Sequence, residues 1–409
     1  MSPTRPSVLL TLPDTPFPSD RGMRMRGAAL LRGLAAIADV DLVVVLPEEA
    51  IPVPDLPSGL GAARATIVRL PRSFGAGAAA RMVSCGLPWR LAVRETSLAR
   101  RALAAWTQSA YDAVWFGSVD HAVLLGRYLS APRSLVDMAD VESAKSATFL
   151  SKSADPGLGA AIERTKVRLE RPLWARIERR AAHRHDILTV CSRREAEHLA
   201  GSSAVVVPNT YPDPGVAGTD LSAREPVLLL AGSWSYQPNV DAARTAARDV
   251  LPIVRAFHPD ARLRLVGDGR EHLRGLEELA GVDVVGRVPS MVPELARASV
   301  VLVSVNYGGG TRLKVLEAMA HGVPVVSTPL GVEGIEVRDG EDVLLAAGPA
   351  SLAAACNRLL ADRALGTRIA RSARMRYERQ YQPEASDSAV ALALSRALDP
   401  RDDSSSAPR

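Results

Sequence analysis

Short apolar runs rich in β-branched residues recur along the chain, and longer stretches of helical character separate them. In order, they are 8–12 (VLLTL), 41–46 (DLVVVL), 66–70 (TIVRL), 113–117 (AVWFG), 134–138 (SLVDM), 187–192 (ILTVCS) and 204–209 (AVVVPN). A second set follows at 227–233 (VLLLAGS), 263–267 (LRLVG), 282–286 (VDVVG), 300–305 (VVLVSV), 324–328 (PVVST) and 343–346 (VLLA). Continuous apolar runs suit strands buried on both faces, and their alternation with helices predicts parallel sheets covered by helices on each side. The segment 208–226 (PNTYPDPGVAGTDLSAREP) lies between the two sets and reads as a hinge, with the boundary near residue 215. The expectation is therefore an α/β chain of two Rossmann-like, doubly wound domains, 1–214 and 215–384. The stretch 349–375 is helical by composition. A last helix within 385–399 is expected to pack back on the N-terminal domain, with Ser386 or Asp387 able to cap its first turn. Residues 400–409 read as a disordered tail, and 47–61 and 151–159 as surface loops.

The most informative stretch is 299–335, SVVLVSVNYGGGTRLKVLEAMAHGVPVVSTPLGVEGI, a complete strand, turn, helix and strand. Gly308, Gly309 and Gly310 let the backbone turn tightly, Thr311 can cap a helix, and Gly322 and Pro324 end it. A glycine turn at the carboxyl end of a strand points backbone N–H groups at a helix terminus, where phosphate oxygens bind well. Arg312 and Lys314 add full positive charges there. Glu317 interrupts an apolar surface made by Leu313, Leu316, Met319 and Ala320, and a buried carboxylate needs good hydrogen bonds, which adjacent sugar hydroxyls would supply. The plainer alternative is an ordinary βαβ unit whose Glu317 caps or pairs locally.

The stretch GGGTRLKVLEAMAHGVPVVST resembles the donor-site signature of the retaining GT-B glycosyltransferases of family four. The resemblance implies two Rossmann-like domains facing across a cleft, with an acceptor site in the first and a nucleoside-diphosphate-sugar site in the second. Residues 12–35 resemble the family's first loop, with Gly22 at the position that approaches the donor phosphates. Residues 179–199 and 205–211 resemble the end of its acceptor domain, and 231–252 the opening of its donor domain. By resemblance, Gly22, Gly309, Gly310, Thr311, Leu313 and Glu317 line the donor site, Arg312 and Lys314 act on the diphosphate, and Glu317 holds the ribose. Transfer would proceed with retention of configuration.

Two departures stand out. The segment 231–252 carries a Pro-Asn pair where relatives commonly place basic residues for the diphosphate, which leaves that task to Arg312 and Lys314. Counting back along the Glu, seven residues, Glu pattern from Glu317 lands on Gly309, so the carboxylate that holds the transferred sugar is missing, with Asn306 and Tyr307 as candidate substitutes. VDMADVESAK (136–145) resembles a stretch that often holds an active-site histidine, but Ala139 stands there. Asp137 and Asp140 line the cleft or serve as turn and helix caps. His121, at a predicted strand end and helix start, is the best remaining catalytic histidine, or else a cap.

Composition narrows the picture further. At 409 residues with 47% hydrophobic and 23% charged content, two well-buried domains are affordable, and no apolar run approaches the roughly 20 residues that cross a bilayer. Three scattered cysteines lack metal-ligand spacing and suit a reducing cytoplasm. Asp39 and Asp41 imitate an Asp-x-Asp metal motif but precede a strand, so no essential divalent ion is expected, and no cofactor beyond the sugar-nucleotide substrate. VGDGREHLRG (266–275) lacks the third glycine of a dinucleotide fingerprint. The net charge of +5 favours anionic partners, but five Phe, seven Tyr and five Trp spread over the whole chain argue against nucleic acid. The segment 163–184 carries eight basic residues against three acidic ones, a solvated helix face or a docking surface for an anionic membrane. Arg21, Arg24 and Arg26 face either a cleft or solvent. The expected protein is a cytoplasmic, metal-independent hexosyltransferase, peripheral to the membrane if that surface is used. The rivals are a nucleotide-sugar epimerase and a non-catalytic nucleotide-binding partner.

Overall fold

The computed structural model describes residues 5–50, 56, 59–107, 110–151, 158–199, 203–215, 224–309 and 312–399. The chain divides into two compact units, Met1–Thr210 with Pro383–Arg409, and Tyr211–Gln382.

Unit 1 holds strands β1 (Ser7–Leu12), β2 (Asp39–Pro47), β3 (Arg64–Leu70), β4 (Ala113–Phe116), β5 (Arg133–Met138), β6 (Ile187–Val190) and β7 (Ala204–Val206). Between them run α1 (Gly22–Ala35), α2 (Ala76–Cys85), α3 (Trp89–Ala92), α4 (Ser97–Trp106), α5 (Val119–Leu125), α6 (Glu142–Ser151), α7 (Leu158–Arg184) and α8 (Arg193–His198). The strands pair in parallel in the order β3-β2-β1-β4-β5-β6-β7. Each strand sends alternate residues to opposite layers, as in β4, where Trp115 joins one buried cluster and Phe116 the other.

Unit 2 holds β8 (Val227–Ala231), β9 (Arg262–Val266), β10 (Val282–Gly286), β11 (Val300–Val303), β12 (Val325–Ser327) and β13 (Leu344–Leu345), parallel in the order β10-β9-β8-β11-β12-β13. Its helices are α9 (Gln237–Thr245), α10 (Leu251–Phe257), α11 (Val292–Arg297), α12 (Leu313–Ala320), α13 (Pro349–Ala361) and α14 (Arg363–Gln380). Both sheets reverse direction of winding once, between β1 and β4 and between β8 and β11. At such switch points flanking loops splay apart and leave a crevice beyond the strand ends.

The last helix, α15 (Pro383–Leu398), belongs to unit 1, where Val390, Ala393, Leu394 and Ala397 join the core cluster of Leu30, Leu31 and Leu34 from α1. Gly33 makes this close approach possible, because a Cβ there would stand 2.9 Å from that of Val390. One local expectation is refined and one changes. The stretch 349–375, read as helical by composition, is helical and divides into α13 and α14, because the Asp362 carboxylate accepts the Leu365 N–H at 2.9 Å and caps a new helix. The last helix begins at Pro383, which places Ser386 and Asp387 within the helix instead of at its cap. The Ser386 hydroxyl donates to Pro383 O, and Asp387 pairs with Arg32. Residues 400–409, and 216–223 of the segment read as a hinge, lie outside the described residues.

Candidate functional site

At the switch point of unit 2, the loop after β8 meets the loop between β11 and α12. Buried Ser304, just past β11, donates its hydroxyl to Ala242 O of α9, tying the two elements together. The Asn239 amide donates to Ser233 O at 3.0 Å, and its oxygen accepts from Lys314 Nζ at 2.9 Å. The asparagine of the Pro-Asn segment therefore holds the lysine of α12 in place. Gly308 turns the chain at φ 116°, a left-handed conformation, and a side chain there would stand 2.6 Å from the Tyr236 hydroxyl and 3.1 Å from Arg312 Nη2.

Arg312 precedes α12 and is only 8% exposed. One guanidinium nitrogen, Nη1, donates to Gly309 O at 2.8 Å, while Nε and Nη2 are buried without a hydrogen-bond partner among the described residues. A cation buried with two of its donor nitrogens unmet costs several kcal/mol, on the order of what a lost charged hydrogen bond costs, unless an anion completes it. Burial, and the charge of Arg312 nearby, push the Lys314 ammonium down to about 7, with Glu317 opposing. The charge expected as full at Lys314 is thus only partial near neutral pH in the unliganded protein. Glu317 sits one turn further along. Burial raises its carboxyl above the ordinary range, against the pull of the Tyr211 hydroxyl and Lys314.

Glu317 finds a hydrogen bond within its own unit: Oε1 accepts the Tyr211 hydroxyl at 2.7 Å. Tyr211 is fixed in turn, since its carbonyl accepts from Tyr377 OH at 2.8 Å and its ring meets His321 edge-on at 6.2 Å. Sequence reasoning missed Tyr211 as a partner of Glu317, because 106 residues separate them and no spacing rule connects them. Tyr307, a candidate for the missing carboxylate, is buried and gives its hydroxyl to Asp241, so it is not aimed at a ligand, whereas Asn306 is exposed. Gly309 and half-buried Leu313 flank Arg312. Gly310 and Thr311 lie outside the described residues, and α12 begins at Leu313 without a side-chain cap.

The other expected residues belong to unit 1. Gly22 is the exposed first residue of α1. His121 lies at the β1/β4 switch point and lines a cavity of about 360 Å³ with Arg90, Gly117, Asp137 and Asp140. Its ring bonds to Thr11 Oγ1 at 2.8 Å, and burial pushes its pKa down to about 3, so it stays neutral. The cap of α5 is Ser118, which accepts the His121 N–H, so His121 is not the cap. Asp137 is no cap either, because Arg26 and Thr189 hold it from beneath. Arg26, read as facing a cleft or solvent, is buried, and Arg24 pairs with Asp14 and Asp20. Asp41 is buried against Arg64 and Tyr111. Among the described residues no group of three or more His, Cys, Asp or Glu could hold a metal, and no helix is long and apolar enough to cross a membrane.

Two doubly wound parallel units are the fold of the GT-B glycosyltransferases, and the chain takes that fold. Residues 225–362, which include Asn239, Arg312, Lys314 and Glu317, match the family described as glycosyl transferases group 1. An exopolysaccharide phosphotransferase of Streptomyces coelicolor is 31% identical over 191 residues, 44% of this chain and 20% of its own length. A D-inositol 3-phosphate glycosyltransferase of Acidothermus cellulolyticus is 34% identical over 148 residues, 33% of each chain. The chain thus spans a third or less of the length of these curated relatives. Sucrose-phosphate synthase of Thermosynechococcus elongatus superposes with a TM-score of 0.70 at 19% identity, over 96% of this chain and 99% of the other.

Proposed function

We propose that the chain is a glycosyltransferase that takes a sugar from a nucleoside diphosphate, held in unit 2, and passes it to an acceptor held in unit 1. The observation that carries this reading is the buried, incompletely bonded guanidinium of Arg312 beside Lys314 at the unit 2 switch point. The match of residues 225–362 to a glycosyltransferase family supports it.

In this reading Arg312 Nε and Nη2 take the diphosphate oxygens, Lys314 adds charge as the bond to the sugar breaks, and Glu317 holds the ribose through its second oxygen. The leaving diphosphate gains negative charge in the transition state, and fixed cations in a poorly hydrated site lower that barrier most. Because the protein supplies the positive charge, transfer proceeds in chelator; retention of the anomeric configuration rests on the resemblance of residues 308–328 to the retaining enzymes of family four. The neutral imidazole of His121 faces the acceptor in the cavity of unit 1. A thermal-shift screen against UDP, GDP, ADP and dTDP sugars tests the reading, since a donor that binds the native state raises its melting temperature by mass action. A shift in wild type that Arg312→Ala lacks is the expected result, and no shift in wild type with any of them would reject the reading.

Lys314 makes donor binding depend on pH in a defined direction. Its free-state pKa of about 7 rises once a diphosphate lies beside it, so binding takes up a proton and affinity falls as pH climbs above about 7. Calorimetry in two buffers of different ionisation enthalpy reads that proton, and Lys314→Met should abolish it. The same lysine makes folding stability increase with pH between about 7 and its ordinary 10.5, where the unfolded chain binds more protons. Turnover should fall more than affinity in Lys314→Ala, because its charge matters most as the bond breaks.

A further inference from the structure

We propose that the face of unit 1 made by α2, α3 and the middle of α7 docks on an anionic lipid bilayer. This goes beyond the glycosyltransferase reading and does not depend on it. Of the ten residues of α2 only Ala78 is buried, although the helix reads AGAAARMVSC and carries one charge. Val83 within it is 85% exposed, and Phe74 just before it is 63% exposed. Side chains of that size left in water together mark a surface meant for contact. Phe74 lies beside Trp89 of α3, with ring centroids 6.5 Å apart, and Trp89 is itself exposed.

The same face continues onto α7. The Trp89 N–H donates to Glu170 Oε1 at 3.0 Å, and a Cβ on Gly86, which closes α2, would stand 3.1 Å from Arg176 Nη1. Ile162, Leu169 and Arg176 recur every seven residues and so share one stripe of α7. Leu169, 64% exposed, and exposed Ile162 therefore extend the apolar strip that starts at Phe74 and Val83.

Charge selects the occupant. Residues 163–184 hold eight Arg and Lys against three Glu, an excess of five that equals the formal net charge of the whole chain. Two of those three carboxylates are turned to internal use, since Glu170 accepts the Trp89 N–H and Glu178 is buried against Ser143. Lys166, Arg168, Arg171, Arg176, Arg179 and Arg180 are all exposed. The core of a protein interface is depleted of charge, whereas apolar tips and a tryptophan ringed by Arg and Lys suit the boundary between acidic headgroups and acyl chains.

Flotation of the full chain with vesicles of phosphatidylcholine, with and without phosphatidylglycerol, tests this. Binding is expected only with phosphatidylglycerol and should weaken as salt rises. The double variant Phe74→Ser, Val83→Asp should bind about tenfold more weakly or worse, and Lys166→Ala and Arg176→Ala, whose side chains share the stripe of Leu169, about fivefold more weakly each. These side chains are exposed, so thermal melts should match wild type, and nucleotide binding measured by calorimetry should not change. Loss of vesicle binding is thereby separated from any failure of the donor site. Three results would overturn the proposal: no binding to acidic vesicles, equal binding by the double variant, or a wild-type dimer in ultracentrifugation that the double variant dissolves.

Discussion

Arg312→Ala should lower kcat/KM by about two to three orders of magnitude, while the melting temperature stays within a few degrees of wild type. The first half follows from the transition state, because removing one preorganised donor aimed at developing negative charge costs about 3 kcal/mol in known cases. The second follows from the free protein. Arg312 is buried with Nε and Nη2 unmet and makes one bond, to Gly309 O. Losing that bond costs about 1 kcal/mol, and relief of an incompletely solvated cation works the other way. A residue kept for structure would show the opposite pairing, a large loss of stability with turnover falling only through unfolding. Steady-state kinetics on a donor that binds, set beside a thermal melt, separates the two. Full activity in Arg312→Ala would remove this residue from the mechanism.

Arg26→Ala should show that opposite pairing. Its Nε and Nη2 meet both oxygens of Asp137 at 2.7 and 2.5 Å, and its Nη1 reaches Val207 O and Asn209 Oδ1. Asp137 is also held by the Thr189 hydroxyl. Burial works against the Arg26 charge, and Asp137 together with Cys191 and Glu195 more than offsets it, which keeps the guanidinium well above its ordinary pKa. Cutting the pair leaves a buried carboxylate without its counter-charge, at about 3–5 kcal/mol. In a unit of this size that corresponds to a fall of roughly 6–20 °C in the melting temperature of unit 1. Arg26→Met with Asp137→Leu should recover most of the loss, since two apolar groups of similar volume remove the uncompensated charge. A single variant within about 1 kcal/mol of wild type in denaturant unfolding would show that the pair is structurally idle.

Arg26 and Arg312 look alike in the sequence, each a basic residue beside a glycine-bearing turn and an apolar helix. Nothing local separates an arginine that braces a sheet from one left short of partners, because the difference is made by Asp137 and Asn209, more than 100 residues away from Arg26. The same holds for Glu317. Its place among apolar neighbours announces a buried carboxylate, but not that the Tyr211 hydroxyl occupies one of its oxygens in the unliganded protein. Tyr307 offered a hydroxyl at the right place along the chain, and the fold turned it to Asp241.

The sequence by itself determined the two parallel sheets and each of the thirteen strands among the described residues, because a strand covered on both faces must be apolar throughout and its helices must follow in alternation. It also determined the strand, glycine turn and helix around Gly308 to Glu317, since glycine freedom and helix stops are local properties. Only the tertiary structure decided which polar groups are satisfied and which are left waiting. Hydrogen-bond partners of buried charges come from distant strands and helices, and their pairing is a property of the packed interior that no local pattern encodes.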